Sequence, residues 1–277
     1  MGGSYLSGIL IQIGINIILA ISLYITFSTG QVSLGHAGFM AIGGYLSSYL
    51  TVKVGFPFGA AIAAAAVGSG IFGLLVGYPA LRLGGLYLAI ATLGFGIIVQ
   101  VFFENFAPTG GSMGMQGMTG TTVTLVYILV AAIIYLTWQL MNSRWGRAFE
   151  AVRDDEIAAK SMGIHITSIK LTAFVLGAAI AGIAGCLDAH YMFYIDSHNY
   201  NFGRSVEMLL FLILGGSEVI WGPVLGAAVL TALPEALRFM REYRMLFYGF
   251  IMMFMMIVRP QGILDRRFFI SKRKISG

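Results

Sequence analysis

The ionisable residues of this chain are few, and where they fall decides what chemistry is open to it. His36, Glu104, Asp188, His190, Glu207 and Glu218 stand within or at the edge of long apolar runs. An ionisable group at membrane depth is costly, so it usually faces a pathway or a partner. Asp188, His190, Asp196 and His198 can be drawn together as a metal cluster, but they straddle the end of an apolar run and a polar loop without metal-ligand spacing. No metal and no cofactor is expected. Gly110-Gly-Ser-Met-Gly114 matches Gly-x-Ser-x-Gly, a pattern that carries a nucleophile only at a strand-to-helix elbow with a histidine and an acid nearby. Here it falls in a Gly-rich loop, so Ser112 is not expected to be catalytic. The single cysteine, Cys186, lies in an apolar run and reads as a small packed side chain. With no His-Glu-x-x-His pair, Walker loop or dinucleotide fingerprint, the chain should not hydrolyse ATP itself, and no catalytic residue is assigned.

The most polar stretch runs from Asn142 to Gly163. Ala148, Phe149, Val152, Ala159 and Met162 fall on one side at helical spacing, and Gly163 supplies a left-handed stop, so a single helix is predicted. Two readings stay open on the residues alone. The helix is either a solvated connector lying on a membrane surface or a lever transmitting force from a soluble partner.

These residues must be positioned by an apolar scaffold. Of 277 residues, 58% are hydrophobic and 10% charged, where a soluble domain carries roughly 25% charge. Asp, Glu, Lys and Arg are missing from Met1 to Val52, Val54 to Leu81, Leu83 to Phe103 and Asn105 to Ser143. A membrane span needs roughly 20 apolar residues. The fold class expected is therefore all-α, a polytopic transmembrane bundle of about 8–10 membrane segments in one domain over residues 1–277. Helices are predicted near Tyr5 to Phe27, Gln31 to Leu50, Pro57 to Tyr78, Gly85 to Phe103, Thr121 to Met141, Leu171 to Phe193 and Met245 to Val258. A composite region from Ser205 to Leu233 is broken by Gly215-Gly216, Glu218 and Gly222-Pro223. With Gly30 to Tyr45 it makes a pair of interrupted helices, a pointer to a transporter's central pathway.

Orientation follows from the basic residues. Arg144, Arg147, Arg153, Lys160 and Lys170, and later Arg259, Arg266, Arg267, Lys272, Arg273 and Lys274, mark two cytoplasmic segments. The composite region must then cross an even number of times. Nine crossings with an external N-terminus result, placing Lys53, Arg204, Arg238, Arg241 and Arg244 outside. The first basic residue is Lys53, so no cleaved secretory signal is expected. A net charge of +5 belongs to the membrane surface here, and no nucleic acid partner is expected.

Three stretches carry a resemblance: Gly30-Gln-Val-Ser-Leu-Gly-His-Ala-Gly-Phe-Met-Ala-Ile-Gly-Gly-Tyr45; Leu81-Arg-Leu-Gly-Gly-Leu-Tyr-Leu-Ala-Ile-Ala-Thr-Leu-Gly-Phe-Gly96 with Thr109-Gly-Gly; and Gly146 to Gly163. Ala181 to Gly185, Ala189-His-Tyr191 and Leu214 to Gly226 add to it. In these the chain resembles the LivM/LivH-type permease subunits of branched-chain amino acid ABC importers, most closely the LivM type. The resemblance implies a second, LivH-like permease subunit, two cytoplasmic ATP-binding subunits and an external substrate-binding protein, in a prokaryotic plasma (inner) membrane with the C-terminus cytoplasmic. It implies that residues 142–170 form a coupling segment, with Arg147, Glu150, Arg153, Asp154, Asp155 and Glu156 contacting an ATPase and Gly163 closing the helix. In the wider importer pattern Glu-Ala-Ala-x-x-x-Gly, Ile157 stands where the Glu would be and Glu156 is one position early. The translocation pathway is expected at Gly35, His36, Gly38, Glu207 and Gly222, with a substrate carboxylate met by half-helix N-termini near Gly35 to Gly38 or Gly222. Urea, amides or other small carboxylates are the alternative substrates, and a stand-alone transporter or an intramembrane enzyme are the competing classes.

Overall fold

A computed structural model describes residues 2–236, 249–250, 253 and 263–264. The last predicted helix, Met245 to Val258, falls almost wholly outside the described residues, as do Arg238, Arg241, Arg244, Arg259 and the basic tail. The regular structure of the described residues is helical apart from β1 (Met115–Gln116) and β2 (Tyr194–Ile195), two short antiparallel strands. Among the described residues five helices are long and apolar enough to cross a membrane: α1 (Gly2–Phe27), α3 (Phe58–Ala80), α4 (Leu86–Asn105), α5 (Val123–Asn142) and α8 (Ile166–Met192). Shorter apolar helices are α2 (His36–Tyr49), extended by a π-helical turn over Leu50–Val54, α9 (Phe202–Gly215) and α10 (Trp221–Ala236). Between α5 and α8 lie two polar helices, α6 (Arg144–Asp154) and α7 (Glu156–Ser161).

The bundle is built around α8, which packs against α1, α2 and α3. Its small residues make this possible, because small side chains let helix backbones approach inside a membrane. Gly177 faces Ser22 and Thr26 of α1, Gly182 faces Ala65 and Ser69 of α3, and Gly185 lies on the carbonyl of Met40 in α2. At about 100° per residue these glycines point in three directions around the helix. The contacts also fix direction. Gly8 meets Tyr191 while Ser22 meets Gly177, so α1 runs antiparallel to α8. Gly77 meets Phe174 and Ser69 meets Gly182, so α3 is antiparallel too. Met40 meets Gly185 and Thr51 meets His190, so α2 is parallel. One face of the bundle therefore gathers the end of α1, the α3–α4 turn with Arg82, and α6 and α7 with Arg144, Arg147, Arg153 and Lys160. Arg144, Arg147, Arg153 and Lys160, predicted to share one side, do so.

Several expectations need correction. The helix predicted from Gln31 begins at His36, leaving the chain non-helical from Ser28 to Gly35. The composite region does reverse direction, as its even number of crossings requires: Phe211 packs on Gly226 and Gly215 on Gly222, so α9 and α10 form an antiparallel hairpin. The polar helix predicted as continuous to Gly163 breaks at Asp155, whose backbone is extended (φ −158, ψ 108) and whose Oδ1 caps α7 by accepting from the amides of Ile157 and Ala158. The break resets the helical phase. Phe149, Val152 and Ala159 are buried as expected, but Met162 is 83% exposed.

Glycine packing around α8 predicts a sharp contrast between two alanine substitutions. A Cβ at Gly185 would overlap the Met40 carbonyl, whereas one at Gly59 meets nothing within 4 Å. Gly185→Ala should cost about 1–3 kcal/mol as overpacking, and Gly59→Ala should change stability by less than about 0.5 kcal/mol. Unfolding midpoints in detergent check this; equal midpoints for the two variants would refute the packing assignment.

Candidate functional site

A non-helical segment inside an apolar bundle must have its polar backbone groups satisfied by protein. From Ser28 onward the neighbouring side chains supply those partners. The hydroxyls of Ser28 and Thr29 donate back to the carbonyls of Ile25 and Thr26, at 2.6 and 2.9 Å. Gly30 turns the chain in the left-handed region (φ +77). The amide of Leu34 donates to Thr92 Oγ1 at 3.0 Å, that of Gly35 to Ser33 Oγ at 3.4 Å, and that of Ala37 to Ser205 Oγ at 3.2 Å. Gly35 abuts the carbonyl of Thr92, and a Cβ at Gly38 would stand 3.2 Å from the Cα of Gly96, so α2 crosses α4 with almost no side chain between them.

His36 is buried at this break, 1% exposed. Its Nδ1 lies 3.1 Å from Ser33 Oγ and its Nε2 3.3 Å from Thr26 Oγ1, and its ring packs edge-on against Phe39 and Phe174. Both ring nitrogens are thus engaged within the protein. The amides of Gly35, Ala37 and Gly38 are likewise taken, by Ser33, Ser205 and the Gly35 carbonyl. The structure places Gly35, His36 and Gly38 beside the first turn of α9, through Ser205, with Glu207 in the turn that follows. Gly222 stands apart, in the turn at the other end of α9, against the carbonyl of Gly216.

Arg204 also departs from expectation. The charge count puts it outside, but α9 begins inside the bundle and the guanidinium is held there. Nη1 donates to Glu207 Oε2 at 2.7 Å and Nη2 to Asn16 Oδ1, midway along α1, at 2.8 Å, with the Arg204 and Glu207 side chains 16% and 13% exposed. Asn16 in turn donates to Thr231 Oγ1 of α10 at 2.8 Å. One polar network thus ties α1, α9 and α10.

The predicted coupling residues gather on α6 and α7. Arg147 and Asp154 are exposed, Glu150 and Arg153 half-buried, and Arg153 Nε lies 3.7 Å from Asp154 Oδ1. Glu156 opens α7 and pairs with Lys170 Nζ of α8 at 2.6 Å. Gly163 (φ +83) ends α7, and the Ile164 amide reaches back to the Ala159 carbonyl, as the left-handed stop predicted. On the outer surface of α7, Ile157 and Met162 are 81% and 83% exposed. A cleft bordered by Glu156, Ile157, Lys160, Ile164 and His165 lies beside them.

On the opposite face the loop after α4 packs over the chain leaving α8, through β1–β2 and the Thr121 hydroxyl on the Leu187 carbonyl at 3.0 Å. Ser112 sits there in a 3-10 turn (Gly111–Met113) between left-handed glycines, not at a strand-to-helix elbow. His190 is buried, with Nε2 3.0 Å from Thr51 Oγ1 and Nδ1 2.8 Å from the Cys186 carbonyl. No three metal-ligating residues converge among the described residues.

The sequence reading missed Asn16, Gln31, Thr92 and Ser205. Their signal was present, since uncharged polar side chains within apolar runs commonly bond between helices. What distance along the chain hid was the partner of each.

The described residues form a polytopic helical bundle with an interrupted helix, a buried polar network and a polar helix pair on one face, an arrangement consistent with a membrane transport component. The chain matches the family described as the permease component of the branched-chain amino acid transport system over residues 5–256, and it belongs to that family. It is 34% identical to LivM of Salmonella typhimurium, a high-affinity branched-chain amino acid transport system permease protein, over 92% of this chain and 67% of that protein. LivM of Escherichia coli is 33% identical over the same shares. LivH of Salmonella typhimurium, a permease protein of the same system, is 28% identical over 93% of this chain and 91% of its own length. No solved structure matches.

The Arg204–Glu207 pair makes a prediction separable from general damage. Arg204→Met removes the guanidinium facing a buried carboxylate and should cost about 3 kcal/mol or more, while Arg204→Met with Glu207→Met should recover most of the loss. Unfolding midpoints decide it. A double variant as unstable as the single one would mean the pair is not the stabilising element.

Proposed function

We propose that this chain is the membrane permease subunit of an ATP-driven importer for branched-chain amino acids, with α6 and α7 as its docking site for an ATP-binding subunit. The observation that carries the reading is the form of α7: a short helix, rigidly capped by Asp155 and Gly163, that presents Ile157 and Met162 to solvent beside Glu156 and Lys160. Two large apolar side chains held out on an otherwise polar helix suit a protein partner, because such residues anchor interfaces when a groove covers them. Arg147, Glu150, Arg153, Asp154 and Glu156 would form the charged rim of that interface, with Asp155 and Gly163 fixing its shape.

The partners proposed are two cytoplasmic ATP-binding subunits, a second, LivH-like permease subunit and an external substrate-binding protein. The membrane is a prokaryotic inner membrane, with α6, α7 and the C-terminus cytoplasmic. One detail supports the last point: the amides of Ile263 and Leu264 bond to the carbonyls of Leu214 and Gly215 at the end of α9. Since Tyr200 lies by Gly44 and Ser205 by Ala37, α9 heads toward the α6 face. ATP binding and hydrolysis on the partners would displace the α6–α7 pair and rock the bundle between outward and inward openings. The pathway is proposed to run past Gly35, His36, Gly38 and Glu207 and the α9–α10 turn at Gly222.

A second substrate reading has a specific basis. LsrC of Yersinia pseudotuberculosis, an autoinducer 2 import system permease protein, is 26% identical over 72% of this chain and 62% of its own length. A related sequence thus belongs to a system that imports another cargo, and the external binding protein would set the choice.

Ile157→Asp combined with Met162→Asp should leave the amount of folded chain unchanged, since both side chains are exposed, yet abolish co-purification of the ATP-binding subunits and uptake of leucine. Ser112→Ala should leave uptake at wild-type rate, against an intramembrane enzyme. Leucine uptake by the purified chain alone, without ATP-binding subunits, would overturn the importer reading in favour of a stand-alone transporter.

A further inference from the structure

We propose that Gly30 and Gln31 form the joint that delivers movement of the α6–α7 pair to the interrupted helix, with Gln31 as its positioning residue. The inference rests on the reading of α6 and α7 as the ATPase docking site and adds the route by which their motion enters the bundle.

Three elements converge on these two residues. Gly30 lies flat against α6: a Cβ built there would stand 3.6 Å from both the Cα and the Cγ of Arg153. The left-handed backbone of Gly30 (φ +77) makes the approach possible and disfavours any side chain at that position. One residue on, Gln31 is 1% exposed and its Nε2 donates to the carbonyl of Lys170, near the start of α8, at 3.0 Å and to Thr29 Oγ1 at 2.5 Å. Lys170 is the residue whose ammonium holds Glu156 of α7 at 2.6 Å. A carbonyl can only accept, so the amide nitrogen of Gln31 must be the atom facing Lys170. Its Oε1 is buried and bonds to no described residue, which leaves an acceptor for a second arrangement of the joint to fill.

Beyond Gln31 the non-helical stretch of residues 32–35 leads directly into α2. It has no helical ladder of its own to absorb a displacement. Its amides are fixed instead to Thr92 of α4 and to Ser33, and the first turn of α2 to Ser205 of α9. A shift of Arg153 and Lys170 therefore pulls on one end of a short tether whose other end holds α2, α4 and α9 together. Of the proposed pathway residues, His36 and Gly38 lie on α2 and Glu207 on α9. Force applied outside the bundle thus reaches its centre without passing along a full span.

The test uses the complete importer reconstituted in liposomes with its ATP-binding subunits, its second permease subunit and its leucine-loaded binding protein. Leucine transported per ATP hydrolysed is measured for wild type and for Gln31→Leu, which keeps the volume and removes the bonds. The variant should assemble and hydrolyse ATP to within about twofold of wild type while leucine per ATP falls about tenfold, the scale of an ordinary coupling energy. An unchanged ratio, or hydrolysis and transport falling in proportion, would overturn the proposal. If Gln31→Leu does not assemble, Gly30→Ala is read by the same ratio, since it strains the joint and removes no side chain. Failure of the underlying reading shows separately, as a wild-type chain that brings down no ATP-binding subunit or moves no leucine.

Discussion

Apolar surroundings offer no water to a bare amide, so a helix can be interrupted inside the bundle only where other side chains replace the missing backbone bonds. In this chain the replacement is made almost entirely by hydroxyls. Ser28, Thr29, Ser33, Thr92 and Ser205 meet the carbonyls and amides around the Gly30–Gly38 break, and Thr26 and Ser33 hold the two nitrogens of His36. These partners come from α1, α4 and α9 as well as from the segment itself. The break is therefore also the place where distant helices are tied together by directional bonds. A hydroxyl suits such a tie because it rotates, donating or accepting as the geometry changes.

Around that centre the packing is close and unforgiving. Gly177, Gly182 and Gly185 bring α1, α3 and α2 onto α8 at backbone contact, and Gly35 and Gly38 bring α4 onto α2 in the same way. Interfaces of this kind do not deform smoothly, since a dense interior transmits strain instead of absorbing it. Where those glycines lie, the bodies of α1, α2, α3 and α8 should accordingly hold together, leaving the Gly30–Gly35 segment and the start of α8 around Lys170 to move. Helices joined to those bodies by side-chain bonds, α9 through Ser205 and Arg204 above all, are the ones free to change partners.

Much of this was legible in the residues. Long charge-free runs mark the spans because the energetic penalty for charge in lipid is large, and the left-handed stop at Gly163 follows from the lack of a Cβ. The two interruptions announced themselves through Gly and Pro. Less legible was where each interruption leads. That Gly30 ends a helix and His36 begins one depends on Thr92 and Ser205, which lie 58 and 168 positions from the amides they cap. The break at Asp155 was hidden for the opposite reason: its cap is local, but an acid in a run of four charged residues from Arg153 to Glu156 reads as one more solvated position. Arg204 misled because a lone arginine near a loop resembles an external charge, and only the fold brings Asn16 to it.

Pairing of charge within the protein bears on what the interior can carry. Arg204 is neutralised by Glu207 and further bonded to Asn16, so the buried pair offers neither a bare cation nor a bare anion to a passing solute. The hydroxyls and backbone amides at the start of the interrupted helix, and both nitrogens of His36, are already bonded to one another. Such a lining can hold a small zwitterion or a neutral polar solute only by exchanging bonds it has made, which favours weak, transient contact over tight binding. Along the proposed pathway, contact of that kind would suit rapid passage, and discrimination between solutes would then be made before entry. The division of labour proposed for the assembly, with selection outside the membrane and force from the other side, follows from a path whose own chemistry is nearly self-satisfied.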